Sequence, residues 1–151
     1  MQMSYSAAGL AMTKSFEGLR LTSYQDVAGV WTIGYGHTGP NVRSGQTITQ
    51  AQAEDLLIRD LAPCVACVNR AVASSITPTQ GQFDALVDFA FNAGRGNLLT
   101  STLLKKFNAG DFAGAAAQFG LWVNAKGVPV SGLVRRRAAE AQIFRGGAYA
   151  S

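Results

Sequence analysis

The sequence predicts an α+β fold, mainly helical, with a small antiparallel β hairpin inserted after the first helix. Three observations predict it. Apolar residues recur at spacings of three and four through most of the chain after Thr49. Residues 21–36 instead concentrate strand formers between glycines. The chain has 151 residues, which suits one domain, or two small lobes sharing a core, better than two independent domains.

Residues 4–17 form the first expected helix, with Ala7, Leu10, Ala11, Lys14 and Phe16 on a mixed, partly apolar face and Gly18 as its stop. Leu21, Tyr24, Val27, Val30, Trp31, Ile33 and Tyr35 then predict a hairpin turning at Ala28-Gly29. Residues 38–47 hold two Gly and a Pro, so they predict a loop or a ragged third strand. Thr49-x-x-Gln52 is a capping box, and Ala53, Leu57, Leu61, Cys64 and Val68 continue a helical stripe behind it. Pro63 lies inside that stripe and should kink or break the helix. Pro78 and Thr79-x-x-Gln82 open another helix along Phe83, Leu86, Val87, Ala90 and Phe91, ended by Gly94. Shorter helices are expected at about 100–108 and 112–120, the latter capped by Asp111. A last one runs from about 132 to 144, with Ser131 as cap and Gly146-Gly147 as stop.

Hydrophobic residues make up 48% of the chain and charged ones 15%, with mean hydropathy +0.11, which excludes disorder. The charge-free stretches Met1–Thr13 and Phe112–Ala125 fall short of the roughly 20 residues that cross a bilayer, so no stable membrane insertion is expected. Met1–Thr13 also lacks the basic start of a secretory signal, so the chain is expected to stay in the cytoplasm where it is made. One His and two Cys argue against zinc and against Ser–His or Cys–His catalysis; no metal and no cofactor is expected, which leaves carboxylate chemistry. Cys64-x-x-Cys67, with no thioredoxin-like pattern around it, predicts two reduced helical thiols. Charge is uneven: residues 1–94 carry five Lys/Arg against seven acids, and residues 95–151 eight against two. The second half suits a polyanionic partner, and composition does not choose among nucleic acid, acidic lipid and cell wall.

The stretch Glu17 to His37 carries the candidate chemistry. A Glu at a helix end is followed nine residues later by an Asp in a hairpin, and six residues after that by a Thr. A carboxyl flanked by apolar side chains can keep a proton to donate, while one in a polar turn stays ionised. Two carboxyls so contrasted are the working parts of glycosidic-bond hydrolysis, and a neighbouring hydroxyl can hold the water. The spacing alone is common and does not decide.

The run from Glu17 to His37 resembles the phage-type lysozymes, the muramidase endolysins of bacteriophages (glycoside hydrolase family 24). It matches their motif E-G-x-R-L-x-x-Y-x-D-x-x-G-x-x-T-I-G-x-G-H at every fixed position. Thr49–Leu61, FDALVDFAFNAG at 83–94, Leu99–Leu103 and Gly132–Glu140 continue the resemblance. It implies a lysozyme-like fold in one domain: a small β lobe at about 19–48, an inter-lobe helix at about 49–72, and a helical lobe from 1–18 plus 73–151. It implies Glu17 as general acid, Asp26 as partner carboxylate and Thr32 as the group positioning water. Phe91, Asn92, Thr102 and Arg136 match substrate-contacting positions, the last within one residue because three arginines adjoin. The substrate implied is the β-1,4 bond from N-acetylmuramic acid to N-acetylglucosamine in peptidoglycan. The protein is expected to be a monomer that waits in the host bacterial cytoplasm, crosses the inner membrane through a separate holin, and then acts on the wall. Asp60 falls on the apolar stripe of the inter-lobe helix, where an acid needs a partner, and His37 is the expected one.

Rival readings fit parts of the sequence. Arg135–Arg137 would suit a nucleic-acid-binding module, but the chain shows no motif for that role and the arginines point to different faces of one helix, so no nucleic acid is expected. A catalytically silent cell-wall-binding protein and a lytic transglycosylase both share the implied fold. The intact Glu17, Asp26 and Thr32 set argues against the first, and Thr32 with Asp26 favours hydrolysis over the second.

Overall fold

The computed structural model describes residues 2–150, which form two compact units. One is Thr13–Pro63; the other joins the remaining described residues on either side of it. The divisions fall inside helices α1 (Ala7–Glu17) and α2 (Gln50–Ala71), between Met12 and Thr13 and between Pro63 and Cys64. The sequence boundaries near residues 18, 49 and 72 therefore do not coincide with them.

Within Thr13–Pro63, strands β1 (Arg20–Gln25), β2 (Trp31–Gly34) and β3 (His37–Thr38) make one antiparallel sheet in sequence order. The ragged third strand is thus only two residues long, and a bridge from Thr22 to Thr47 closes the other edge. Gly34 has φ +68, and a Cβ there would come within 3.3 Å of the Ala53 side chain, so the sheet lies tight against the first half of α2. Lys14 pairs with Glu54 along the same half. Thr49 and Gln52 form the expected reciprocal cap.

Pro63 does not break α2, which runs for 22 residues. Proline lacks the N–H that would bond the carbonyl of the residue four earlier, here Arg59. Both Arg59 and Pro63 are exposed, so water can take that carbonyl.

The other unit is built on α3 (Gln80–Ala93), every residue of which from Gln82 to Ala90 is buried. Thr79 and Gln82 complete its capping box. A Cβ at Gly81 would land on the Ile143 carbonyl, so only glycine lets α7 (Ser131–Phe144) approach this closely. Phe89, Phe119, Phe144 and Phe107 stack edge-on in series, with centroids 5.4–5.8 Å apart. The helix expected near 100–108 is α5 (Thr102–Asn108), started by the Ser101 hydroxyl, which accepts from Leu104 N–H, and a further short helix, α4 (Arg95–Thr100), precedes it without having been expected. Asp111 caps α6 (Phe112–Gln118) as expected. Ser131 is the first residue of α7 rather than its cap, which is Val130.

A hairpin of β4 (Asn124–Ala125) and β5 (Val128–Pro129) had no counterpart among the expected elements. Its turn residues Lys126 and Gly127 have φ of 52° and 78°, the geometry of a two-residue I′ turn. No helix among the described residues is long and apolar enough to cross a membrane.

Candidate active site

Glu17, Asp26 and Thr32 all belong to the Thr13–Pro63 unit. Glu17 is the last residue of α1, and Gly18, at φ +72, turns the chain out of the helix. Its half-buried carboxyl lies over Gly36: a Cβ there would stand 3.0 Å from Glu17 Oε1. The glycine in Gly34-Tyr35-Gly36 thus leaves room for the acid.

Asp26 opens the turn between β1 and β2. One of its oxygens, Oδ1, accepts from Ala28 N–H and Val30 N–H, both at 2.9 Å, while its own N–H donates to the Val30 carbonyl. The turn is therefore wrapped around one carboxylate oxygen. Oδ2 has no partner among the described residues, and Asp26 is exposed.

Thr32 pairs with Tyr24 across the sheet, and Asp26 follows Tyr24 by two residues, so alternation puts Thr32 and Asp26 on one face. Thr32 is buried, and its hydroxyl donates to the Val30 carbonyl at 3.0 Å. With its proton committed, the Thr32 oxygen is left as an acceptor.

His37 Nδ1 stands 2.8 Å from Asp60 Oδ2, and His37 Nε2 is 3.4 Å from Asn41 Oδ1. This pair ties β3 to α2 within the same unit.

The expected substrate-contacting residues lie in the other unit. Phe91 and Asn92 close the last turn of α3, and Thr102 is exposed at the start of α5. Arg136 is buried, its guanidinium forked onto Asp88 through two hydrogen bonds of 2.9 Å. Its neighbour Arg137 is the residue that reaches Asn92, donating to Oδ1 at 2.7 Å. Arg137 also donates to Glu140 Oε2 at 3.0 Å and lies 5.0 Å from the Phe89 ring centre. Its Nε comes within 2.8 Å of Glu140 Oε1 along a bent approach that leaves both atoms without a directed hydrogen bond.

Asp88 and Glu140 are wholly buried and the two arginines nearly so, a group of two acids and two bases. Burial pushes the Glu140 carboxyl well above its ordinary range; the nearby Asp88 carboxylate adds to this and the guanidiniums oppose it. Burial likewise lowers the Arg137 guanidinium. The sequence signal for Arg137 is the acid three residues on, since i and i+3 share a helix face.

Cys64 and Cys67 are free and buried, and burial pushes the Cys64 thiol up to about 11. Among the described residues there is no group of His, Cys, Asp and Glu that could hold a metal ion.

Residues 14–140 match the family model described as phage lysozyme. The chain is 47% identical over 146 residues to an endolysin of Acyrthosiphon pisum secondary endosymbiont phage 1, spanning 94% of this chain and 98% of that one. It is 47% identical over 147 residues to an endolysin of Bacillus phage PZA, spanning 96% of this chain but only 56%, about half, of that longer relative. In structure it is similar to an endolysin from Escherichia coli O157:H7 phage FAHEc1, at TM-score 0.93 and 39% identity over 100% of this chain and 99% of the other. A match across this much of the sequence, with the same fold, leaves one conclusion: the chain belongs to the phage lysozyme family.

Proposed function

We propose that this chain is the muramidase of a phage lysis system, hydrolysing the β-1,4 bond from N-acetylmuramic acid to N-acetylglucosamine with Glu17 as general acid and Asp26 and Thr32 holding the attacking water. The observation that carries the reading is how Asp26 and Thr32 spend their hydrogen bonds. Each has one side tied to the turn backbone and one acceptor left over, on the same face of the hairpin. A water has two protons to donate, and two fixed acceptors orient its lone pair away from them. As that water attacks the anomeric carbon, the Asp26 carboxylate takes its proton and Glu17 protonates the departing oxygen. Attack from the face opposite the leaving group inverts the anomeric centre. Phe91, Asn92 and Thr102 serve the substrate side, while Arg136, buried and forked onto Asp88, is left out of that set, and the protein acts as a monomer released to the wall by a separate holin.

The test is proton NMR of a freshly cleaved glycan strand, together with turbidity loss of purified peptidoglycan. An initial α product supports inversion. Thr32→Val should lower kcat while leaving KM near its original value, because the water loses an acceptor while the sugar still binds. Glu17→Gln should cost more, at least the roughly hundredfold of a lost general acid. An initial β product, or an anhydro end, removes Thr32 and Asp26 from these roles.

A further inference from the structure

We propose that the β4–β5 hairpin and the opening of α7 dock on the surface of a bilayer carrying anionic phospholipid headgroups, with Lys126 at the leading edge and a stripe of valines behind it. Every residue from Asn124 to Ser131 is exposed, so neither face of the hairpin is covered by the rest of the described residues. The apolar side chains fall on one face. Ala125 pairs with Val128, and Val130 N–H donates to the Val123 carbonyl further along the ladder. Cross-strand partners share a face, so Val123, Ala125, Val128 and Val130 line up together. Val134 N–H then donates to the Val130 carbonyl, which sets Val134 one turn on. Val128 is 62% exposed, Val130 38% and Val134 44%, large apolar groups that the fold leaves in water.

Charge selects the occupant. Residues 112–139 contain no acid. Of their four bases, Arg136 is taken by Asp88 and Arg137 by Glu140, while Lys126 and Arg135 are exposed and have no ion pair among the described residues. Lys126 also occupies an unfavourable place for a lysine. Its φ of 52° is the one positive value on a non-glycine residue among the described residues, and a I′ turn prefers Asn there. Such strain at an exposed tip points to a role outside the fold, since the ammonium has no partner within it. A second copy of the chain is the wrong partner, because a self-complementary contact would press one acid-free, basic surface against another. Nucleic acid would leave the valines in water. An anionic bilayer meets both needs, with headgroup phosphates for the two cations and the boundary of the acyl layer for the valines. The contact is a reversible surface one rather than a span, and it holds whether or not Glu17 cleaves wall.

Co-sedimentation with vesicles tests it, comparing phosphatidylcholine alone with phosphatidylcholine mixed with phosphatidylglycerol. The parent should bind the mixed vesicles, release them as salt rises, and ignore pure phosphatidylcholine. Lys126→Asn gives the turn its preferred residue while removing the charge, so it should melt no lower than the parent yet bind about fivefold more weakly. Val128→Ser/Val130→Ser should weaken binding about tenfold or more, from the apolar area no longer buried in the bilayer surface. Equal binding to the two vesicle types, no binding to the mixed vesicles, or variants that bind as the parent does overturns the proposal. So does a dimer in lipid-free sedimentation velocity that Val128→Ser/Val130→Ser dissolves, which gives the stripe to a second copy. A defect of the same size in clearing lipid-free peptidoglycan also overturns it, by giving the stripe to the wall. A parent that clears no peptidoglycan defeats the muramidase reading instead, and the vesicle result still decides the hairpin.

Discussion

Arg137→Met tests the buried charge group most directly. Arg137 is 1% exposed and Glu140 fully buried, with nitrogen–oxygen separations of 2.8 and 3.0 Å between them. Removing one member of such a pair leaves the other charge buried without its nearest counter-ion, which costs about 3–5 kcal/mol. For a chain of this size each kcal/mol moves Tm by about 2–4 °C, so thermal unfolding followed by circular dichroism should shift down by roughly 6–20 °C. Arg137→Met/Glu140→Met should regain most of that loss, because no charge is then stranded. The loss should also depend on pH. Glu140 has its carboxyl raised in the fold, so its contribution is fully present below the unfolded value near 4.5 and is lost as pH rises through the folded value. Without Arg137 that loss deepens, so the gap between variant and parent should narrow toward pH 4.5. A single-variant loss below about 1 kcal/mol, or a double variant no more stable than the single, would refute the reasoning.

Gly81→Ala should lower Tm by several degrees, at about 1–3 kcal/mol for an overpacked contact, because the new methyl meets the Ile143 backbone carbonyl rather than a mobile side chain; an unchanged melt would count against the close α3–α7 approach. Tyr149→Phe removes an O–H that donates to buried Asp84 at 2.6 Å and should cost about 1–2 kcal/mol in a denaturant titration. Burial pushes the Tyr149 phenol up to about 12, so its stabilisation holds below pH 10 and is lost as pH climbs through 12; in absorbance near 295 nm the corresponding late phenolate should vanish in the variant. With its thiol near 11 and its sulfur buried, Cys64 should resist a thiol reagent at pH 8 in the folded protein and react promptly in denaturant; fast labelling of folded protein would contradict the burial.

Local signals in the sequence located most elements because their causes are local. Thr49 with Gln52, Thr79 with Gln82, and Asp111 each cap the helix they precede. The missed hairpin at 124–129 has short, exposed strands with no alternating stripe, so only its Lys126-Gly127 turn could have marked it. Helix α4 went unseen because it is six residues long, with Gly96 and Asn97 in its first turn and no apolar periodicity beyond Leu98-Leu99. In the candidate site, the motif put Glu17, Asp26 and Thr32 in one segment, and the hairpin register explains why Asp26 and Thr32 share a face. The neighbouring arginines could not be told apart in sequence, since burial and choice of partner between Arg136 and Arg137 depend on α3, some 45 residues away.

Asp84 receives Ser6 from near the beginning of the chain and Tyr149 from near its end. That arrangement sets a timetable for the chain during synthesis. Ser6 is made 78 residues before Asp84, a wait of about 4–16 s at ribosomal speeds of roughly 5–20 residues per second. Tyr149 is made 65 residues after Asp84, about 3–13 s later at the same rate. The Thr13–Pro63 segment is contiguous, so it has every residue it needs while the rest is still being made. The larger unit must hold Ser6 waiting until Asp84 is made, and of these two partners that buried carboxylate gains Tyr149 last.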